Sequence, residues 1–558
     1  MQLTGGEAVV RTLEAQGVDT VFGMPGVHNL AIYDALRDSG IRHIVARHEQ
    51  GAAFMADGYA RATGRVGVCL CTSGPALLNA ATPLGTAYCD SSPVLCIASQ
   101  IPSHAIGKEK GYIHECRDQL GCVRPVTAWS ERANAVASIP AVLNEAFARM
   151  RNGRPRPVVV EIPCDVLDGR DNAKFPPVDA TQPTAADGFA TQQEQIERAA
   201  RLLRQARRPI VWAGGGVTIS GGSDQVRQLA ELLGAPVLTT VQGKGSIPED
   251  HPLALGSTPV HPAVVDYLAS CDVMLAVGTR FTEEDTLEFS IQVPPTMIHV
   301  EIDPEEVGRN YAPTLGVIGD ARHVLGQMLL HLADDSGRSS DRADLSRVEE
   351  VATLRQQILR DCRDLAPAGV ELVETLRLAL PRQTVVVSDL AIGAYWCRRL
   401  FDVYEPRSFI YPWGFCTLGF GLPAGIGAKV ARPDRPVVVL TGDGGFMFNC
   451  QELAVSAQFQ LPVIVVLFNN RGFGVMRPQQ QVRYGRTLAV DLVNPDFDLL
   501  AQAFGFAARR VSEIPELGPA VAAAVESETT CLIEVTVDLP LQVMEPAMRR
   551  IHLALTAN

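Results

Sequence analysis

Residues 436–475 read PVVVLTGDGGFMFNCQELAVSAQFQLPVIVVLFNNRGFGV. Two short apolar runs, VVVL and VIVVLF, stop abruptly, the first at Gly442-Asp443-Gly444 and the second at Asn469-Asn470. Val/Ile-rich runs bounded by Gly and Asn predict strands buried on both faces, and the helical spacing of NCQELAVSAQFQ between them completes a strand-helix-strand unit of a parallel sheet. The carboxyl ends of such strands form a ligand crevice, so Asp443 and Asn470 are expected to face one place from neighbouring strands. Gly442, Gly444 and Gly445 leave room for a ligand against the backbone, and a helix beginning near Asn449 offers free N–H groups to an anion. One carboxylate, one amide and one backbone carbonyl would suit a hard cation holding a diphosphate. A structural Gly-rich turn with an Asn-capped strand end is the other reading, since a Gly-rich loop alone is a weak signal.

The rest of the chain narrows the class. Its 558 residues exceed one hydrophobic core and call for about three domains of ordinary size. A net charge of -13 with scattered Lys and Arg argues against a nucleic-acid partner. The opening MQLTGGEAVVRTLEAQGVDTVFGMPG has no basic-then-apolar leader, and no apolar run approaches the roughly 18 residues of a membrane span. A soluble cytoplasmic protein with no membrane partner is expected. None of the 13 cysteines shows C-x-x-C spacing, and Cys69-Leu-Cys71 is the closest pair. They read as small buried apolar residues of a reducing compartment.

Two Pro-, Gly-, Ser- and Asp-rich stretches, one from Leu167 and one from Leu332, interrupt the alternation of strands and helices and mark linkers. They predict domains over residues 1–168, 190–332 and 365–545. Each is α/β, with strands such as GVCLCT, PVVVEI, PIVWAGGG, VMLAVG, TVVVSD and CLIEVTV. The outer domains echo one another: GAAFMADGYARATGRVGVCLCTSGP and GFGLPAGIGAKVARPDRPVVVLTGDGG both run helix, basic turn, strand, Gly loop. The middle domain carries VWAGGGVTISGG, VGTRF and HVEIDPEEVGRN, pieces similar to a nucleotide-binding fold, although GGG also suits any tight strand-to-helix turn.

In IRHIVARHEQGAAFMADGYARATG, Glu49 stands after a short apolar strand and just before a helix. A carboxylate at that sheet edge could exchange a proton or hold a protonated ring nitrogen; an acidic helix N-terminus is the alternative. HEQGAAFMADGYARATG with TSGP, then EIDPEEVGRN, TLGFGLPAGIGA, GDGG and NN, in this order, resembles the thiamine-diphosphate enzymes of the acetolactate synthase, pyruvate oxidase and 2-oxo-acid decarboxylase group. The resemblance runs from about Leu3 to Val537 and is specific for cofactor more than for substrate.

That resemblance implies three doubly wound parallel-sheet domains, for pyrimidine binding, a central role and diphosphate binding. It also implies a homodimer or homotetramer, with the cofactor between the pyrimidine domain of one subunit and the diphosphate domain of another. Asp443, the Asn470 side chain and the Gly472 carbonyl would hold Mg²⁺ on the diphosphate, with Gly442, Gly444, Gly445 and Phe473 around it and Asn469 structural. Glu49 would bond the pyrimidine N1′ and favour the imino tautomer that takes the proton from thiazolium C2. Leu418 corresponds to the apolar wedge that bends the cofactor, and Cys416, where acetolactate synthases have Gly, would offer its carbonyl. Pro25, Gly26, Thr72, Ser73, Gly74 and Asn79 match the loops beside the pyrimidine, with Ala76 in place of a usual second Gly.

The reaction is less constrained. Where the acetolactate synthase pattern has GARFDDR and NNRYLGMVKQWQ, this chain has GTRFTEEDT and NNRGFGVMRPQQQ, with Glu284 at the acceptor-binding Arg and Gln479 at the specificity-setting Trp. Losing the cation that pairs with an acceptor carboxylate should cost ligation to a second 2-oxo acid. His28 matches a histidine of ketoarginine-decarboxylase-like and benzaldehyde-lyase-like members. His114 and Gln119 sit in a loop similar to that of benzaldehyde lyase. Either imidazole could relay a proton or bind a substrate oxygen, or be a satisfied loop histidine. Ala391, Val475, Met476 and Arg477 are the further substrate candidates. The expected activity is C–C cleavage beside a carbonyl: decarboxylation of a 2-oxo acid first, acetolactate synthesis second, 2-hydroxy-ketone lysis third. An inactive cofactor-binding regulatory protein is the non-enzymatic alternative. FAD is left open, and STPVHP in place of an MHGT-like contact favours a central domain without it.

Overall fold

A computed structural model describes residues 2–173, 175, 192–333 and 345–540. Three six-stranded sheets, every adjacent pair parallel, form the domains. The first comprises, from one edge, Arg42–Val45, Thr20–Gly23, Gly67–Cys71, Val94–Gln100, Val158–Pro163 and Trp129–Arg132. The third comprises Phe409–Ile410, Val385–Ser388, Val437–Gly442, Ile464–Phe468, Cys531–Val535 and Ala507–Val511. Numbering strands along each domain gives both the order 2-1-3-4-6-5, so the echo between the outer parts of the sequence is a repeat of topology. The middle sheet runs 3-2-1-4-5-6, the order of dinucleotide-binding sheets. A short antiparallel pair, Gln2–Thr4 with Arg170–Asn172, fastens the amino-terminal end to the last helix of its domain. Most of both predicted linkers lies outside the described residues.

The strands named from sequence all form, and for the expected reason: PVVVL, VIVVLF and CLIEV are buried along their lengths, as strands covered on both faces must be. One boundary differs. The helix after the Gly442 strand begins at Asp443, not near Asn449, and covers Asp443–Asn449 before a single 3₁₀ turn and a second helix, Leu453–Phe459. Two glycines in its first turn argue against a helix by propensity. Glycine is nonetheless needed there, because a Cβ on Gly444 would press on the Phe473 ring.

Helices Glu49–Thr63 and Gly421–Ala431 join the outer domains. Gly58 lies under the Ala424 carbonyl and Gly427 under the Met55 carbonyl, each too close for a side chain, so the two backbones touch. Arg61 pins the crossing. Its guanidinium pairs with Asp57 at 2.8 Å and Asp90 at 3.0 Å, donates to the Tyr411 carbonyl, and lies over the Phe420 ring. Asp90 in turn accepts from the Trp413 and Gly414 N–H groups of the third domain. The middle domain shares one apolar core with the third and adds the ion pairs Arg398–Glu284 at 3.0 Å and Arg399–Asp285 at 3.3 Å. No helix among the described residues is long and apolar enough to cross a membrane.

Candidate active site

In both outer sheets the strand order reverses between the second and third positions, and the candidate residues lie past the carboxyl ends of the strands at that switch and beside it. This is where open parallel sheets bind ligands, because diverging helices leave a crevice there. In the first domain Pro25 and Gly26 follow Thr20–Gly23, while Thr72, Ser73 and Gly74 follow Gly67–Cys71. Gly26 abuts the Thr72 side chain, and its N–H donates to the Asn29 side chain at 2.7 Å. Gly74 (φ 60°) packs on the His114 carbonyl, where a Cβ would collide.

Glu49 opens its helix behind His48, whose ring accepts the Gln50 N–H as an N-cap. The Asn79 amide donates to the Glu49 carboxylate at 3.0 Å and so orients it. His28 Nδ1 lies 2.5 Å from Ser73 Oγ, and the His28 and His114 rings meet edge to face at 5.6 Å between centroids. Burial, then the neighbouring His114, lowers the His28 pKa, which keeps its imidazole neutral. His114 adopts a left-handed backbone (φ 64°) and buries its Nδ1 without a hydrogen-bond partner. Gln119 is wholly buried, with its amide spent on Gly74 N–H at 2.8 Å and the Ser99 carbonyl at 2.9 Å. Its place is behind the loop, which it holds.

In the third domain Asp443 and Asn470 stand on neighbouring strand ends. Asp443 is buried, and its Oδ2 accepts from Gly472 N–H at 3.0 Å and Asn494 Nδ2 at 2.7 Å. Asn470 Oδ1 is buried and has no partner. An orphaned amide oxygen beside a carboxylate is the donor set a hard cation satisfies. Asn469 is engaged on both sides, donating to Glu534 at 2.6 Å and accepting from Arg471 N–H and Asn494. Ala391 abuts Gly442, and Phe473 covers Gly444. Cys416 adopts φ 49° and donates its thiol to the Trp413 carbonyl. Val475 and Met476 begin the helix Met476–Tyr484, and Arg477 is paired with Asp491 at 2.8 Å.

Three further side chains organise these loops. Asn494 braces Asp443 against Asn469. Asp389, wholly buried, accepts the N–H groups of Gly419 and Gly421 at 3.1 Å each and thereby fixes the turn that carries Leu418; burial pushes its carboxyl up to about 6. Glu452 reaches from the third domain to accept the Arg47 N–H just ahead of Glu49, and burial raises it to about 7. Asp389 ends the strand of TVVVSD, a position that marks it; Asn494 and Glu452 carry no local signal.

Residues 3–122 match the N-terminal TPP binding domain of thiamine pyrophosphate enzymes, 196–328 the central domain and 392–535 the C-terminal TPP binding domain. The chain belongs to the thiamine pyrophosphate enzymes. It is 38% identical over 548 residues to a probable acetolactate synthase large subunit of Methanocaldococcus jannaschii, covering 96% of this chain and 92% of that protein. It is 39% identical over 533 residues to a probable 2-ketoarginine decarboxylase of Pseudomonas aeruginosa, covering 95% and 94%. Acetolactate synthase isozyme 3 large subunit of Escherichia coli matches at 35% over 571 residues, covering 99% of each.

Matches to TPP binding domains at both ends of the chain make thiamine diphosphate the cofactor of this family member. Asn494 donates to the Asp443 carboxylate; were Asp443 to hold a cation, Asn494 would support it from outside the donor set, and such partners typically contribute about 10–100-fold to metal affinity. Asn494→Ala should therefore weaken Mg²⁺ activation of cofactor binding by roughly that factor. Titrating the unloaded protein with Mg²⁺ at fixed thiamine diphosphate, with intrinsic fluorescence as the readout, measures it; an unchanged midpoint would separate Asn494 from the metal.

Proposed function

We propose that this enzyme uses thiamine diphosphate and Mg²⁺ to decarboxylate a 2-oxo acid, followed by protonation or carboligation of the product carbanion. The observation that carries the reading is the His28–His114 pair, facing each other beside Ser73 on the pyrimidine-side loops. Mg²⁺ would take the Asp443 carboxylate, the free Asn470 oxygen and the Gly472 carbonyl. When bound, the cofactor supplies the C2 nucleophile and the electron sink for the bond next to the carbonyl.

The chain's own groups do the rest. Glu49, steered by Asn79, holds a proton at the pyrimidine N1′. Asp389 keeps the Leu418 turn rigid, so that Leu418 can serve as the wedge under the cofactor. His28 anchors one nitrogen at Ser73, and its neutral ring can pass a proton to the reacting carbon or accept one from a substrate hydroxyl. Val27, Leu30, Leu78, Met447 and Phe448 are exposed apolar side chains along these loops, which favours a second copy of the chain closing the site in a homodimer or homotetramer.

Acetolactate synthesis is the second reading, favoured by two of the three relatives named above. Glu284, where that resemblance places an acceptor-binding Arg, is ion-paired to Arg398, and Arg477 is held by Asp491. Both arrangements weigh against capture of a second 2-oxo acid. Carbon dioxide release measured across pyruvate, aromatic, branched and guanidino 2-oxo acids decides: a preferred substrate other than pyruvate is expected, with Glu49→Gln losing turnover on it. Efficient conversion of pyruvate to acetolactate would reverse the order of the two readings.

The His pair also sets a pH dependence. His114 is one of the two causes that lower the His28 pKa, so removing its ring lets that pKa rise. His114→Gln should move the acid limb of kcat/KM to higher pH, since His28 then becomes protonated sooner on acidification; an acid limb that stays in place would remove His28 from that limb.

A cavity of about 1120 Å³ lies where the three domains meet, lined by Gly215, Thr279, Arg280, Glu301, Asp320 and Arg407 among others. Its size and Gly loop favour a nucleotide-like occupant. Ser257 and His261 of the altered STPVHP segment turn instead toward Arg398 and Asp361, which favours a central domain without flavin. Purified protein should then show no absorbance near 450 nm, roughly where flavins absorb; a bound yellow chromophore would overturn this part of the reading.

A further inference from the structure

We infer that Cys69, Cys71 and Cys96 form a three-thiol binding site for trivalent arsenic, set into the first domain directly beneath the pyrimidine-side loop. The Sγ atoms of Cys69 and Cys71 are 3.6 Å apart and those of Cys96 and Cys71 are 3.8 Å apart, with all three sulfurs inside 4.8 Å of one another. Among the described residues this is the one group of three or more potential metal-binding side chains whose ligand atoms converge so closely. The arrangement follows from the sheet. Cys69 and Cys71 point to the same face of one strand, and Cys96 is the register partner of Cys69 on the next.

The spacing and the surroundings select the ligand. An ion about 2.3 Å from each sulfur, the usual metal–thiolate length, spans a planar triangle with edges of about 4.0 Å, and a pyramidal ion gives shorter ones. The Cys69–Cys71 and Cys71–Cys96 edges, both below 4.0 Å, fit the pyramidal case. A structural zinc site would require a fourth protein ligand, which the cluster lacks, and a three-ligand zinc site would need a water in the fourth position of a fully buried pocket.

Charge then discriminates among soft ions. Three thiolates carry three negative charges, so a monovalent or divalent ion leaves a net negative complex in a pocket where all three cysteines are at most 1% exposed. The group outside the trio that acts on Cys69 is the Glu49 carboxylate, which makes residual negative charge worse. A trivalent centre leaves none.

The chemistry balances without an oxidant. Arsenous acid exchanges three As–O bonds for three As–S bonds, each departing hydroxide takes one thiol proton, and three waters leave. The access route is the loop itself, because Cys71 is followed at once by Thr72, Ser73 and Gly74.

The test uses the full-length protein, with and without thiamine diphosphate and Mg²⁺, incubated with sodium arsenite. Native mass spectrometry should show one arsenic gained and three protons lost, and the arsenic K-edge spectrum should show three sulfur neighbours. Cys69→Ala and Cys96→Ala should each abolish this species. Cys116→Ser/Cys122→Ser, which removes the other pair of neighbouring thiols, should leave it intact. No uptake by the folded protein, two sulfur neighbours in the wild-type spectrum, or uptake that survives Cys96→Ala but not the double variant would each overturn the assignment. The wild-type spectrum decides even if an alanine variant fails to fold.

Discussion

The close crossing of helices Glu49–Thr63 and Gly421–Ala431 is the constraint on which the site depends. Gly58 and Gly427 let each backbone rest against a carbonyl of the other, an approach that even a methyl group would prevent. The same two helices carry the candidate site residues at their amino-terminal ends. Glu49 begins one, and the turn holding Leu418 leads into the other. Arg61, bonded to carboxylates on its own helix and beyond it and to a carbonyl of the third domain, fixes their relative position with charge-assisted hydrogen bonds in a buried setting.

Around this crossing, buried carboxylates act as organisers of backbone. Asp389 and Glu452 are both raised by burial, and the interactions that hold their ionised forms are chiefly main-chain N–H groups. A carboxylate that collects several N–H groups gives a loop one geometry, because each displaced donor would leave desolvated charge behind. Thus the Leu418 turn and the approach to Glu49 are set by buried acids from other segments of the chain. Asn494 does the same for Asp443 with an amide.

Cofactor and substrate were unequally legible. The strand period and the position of its last residue place Asp443 and Asn470 on neighbouring strand ends from local pattern, while their reading as a diphosphate site came from the family resemblance. The repeat between outer domains was a weak echo in the sequence and the doubly wound class came with the resemblance; the matching strand orders bear both out. The helix expected to begin near Asn449 begins at Asp443 instead, directly at the end of the strand. Gln119, a substrate candidate from its loop, is consumed by Gly74 and Ser99, and Arg477 by Asp491. Those partnerships join residues far apart in the chain or across a loop, and no spacing rule encodes them.

By itself the sequence determined the class of fold and the residues at each strand end, because these follow from periodicities of two and 3.6 residues, while the cofactor came from the resemblance carried by an ordered set of motifs along nearly the whole chain. Only the tertiary structure decided how those residues meet. It paired His28 with His114, left Asn470 Oδ1 without a partner, drew Cys69, Cys71 and Cys96 into one cluster, and spent Glu284 on Arg398. Each of these is a contact between segments, fixed by which strands neighbour one another and how closely their helices approach, and such contacts are set by packing of the whole chain and by no local stretch of it.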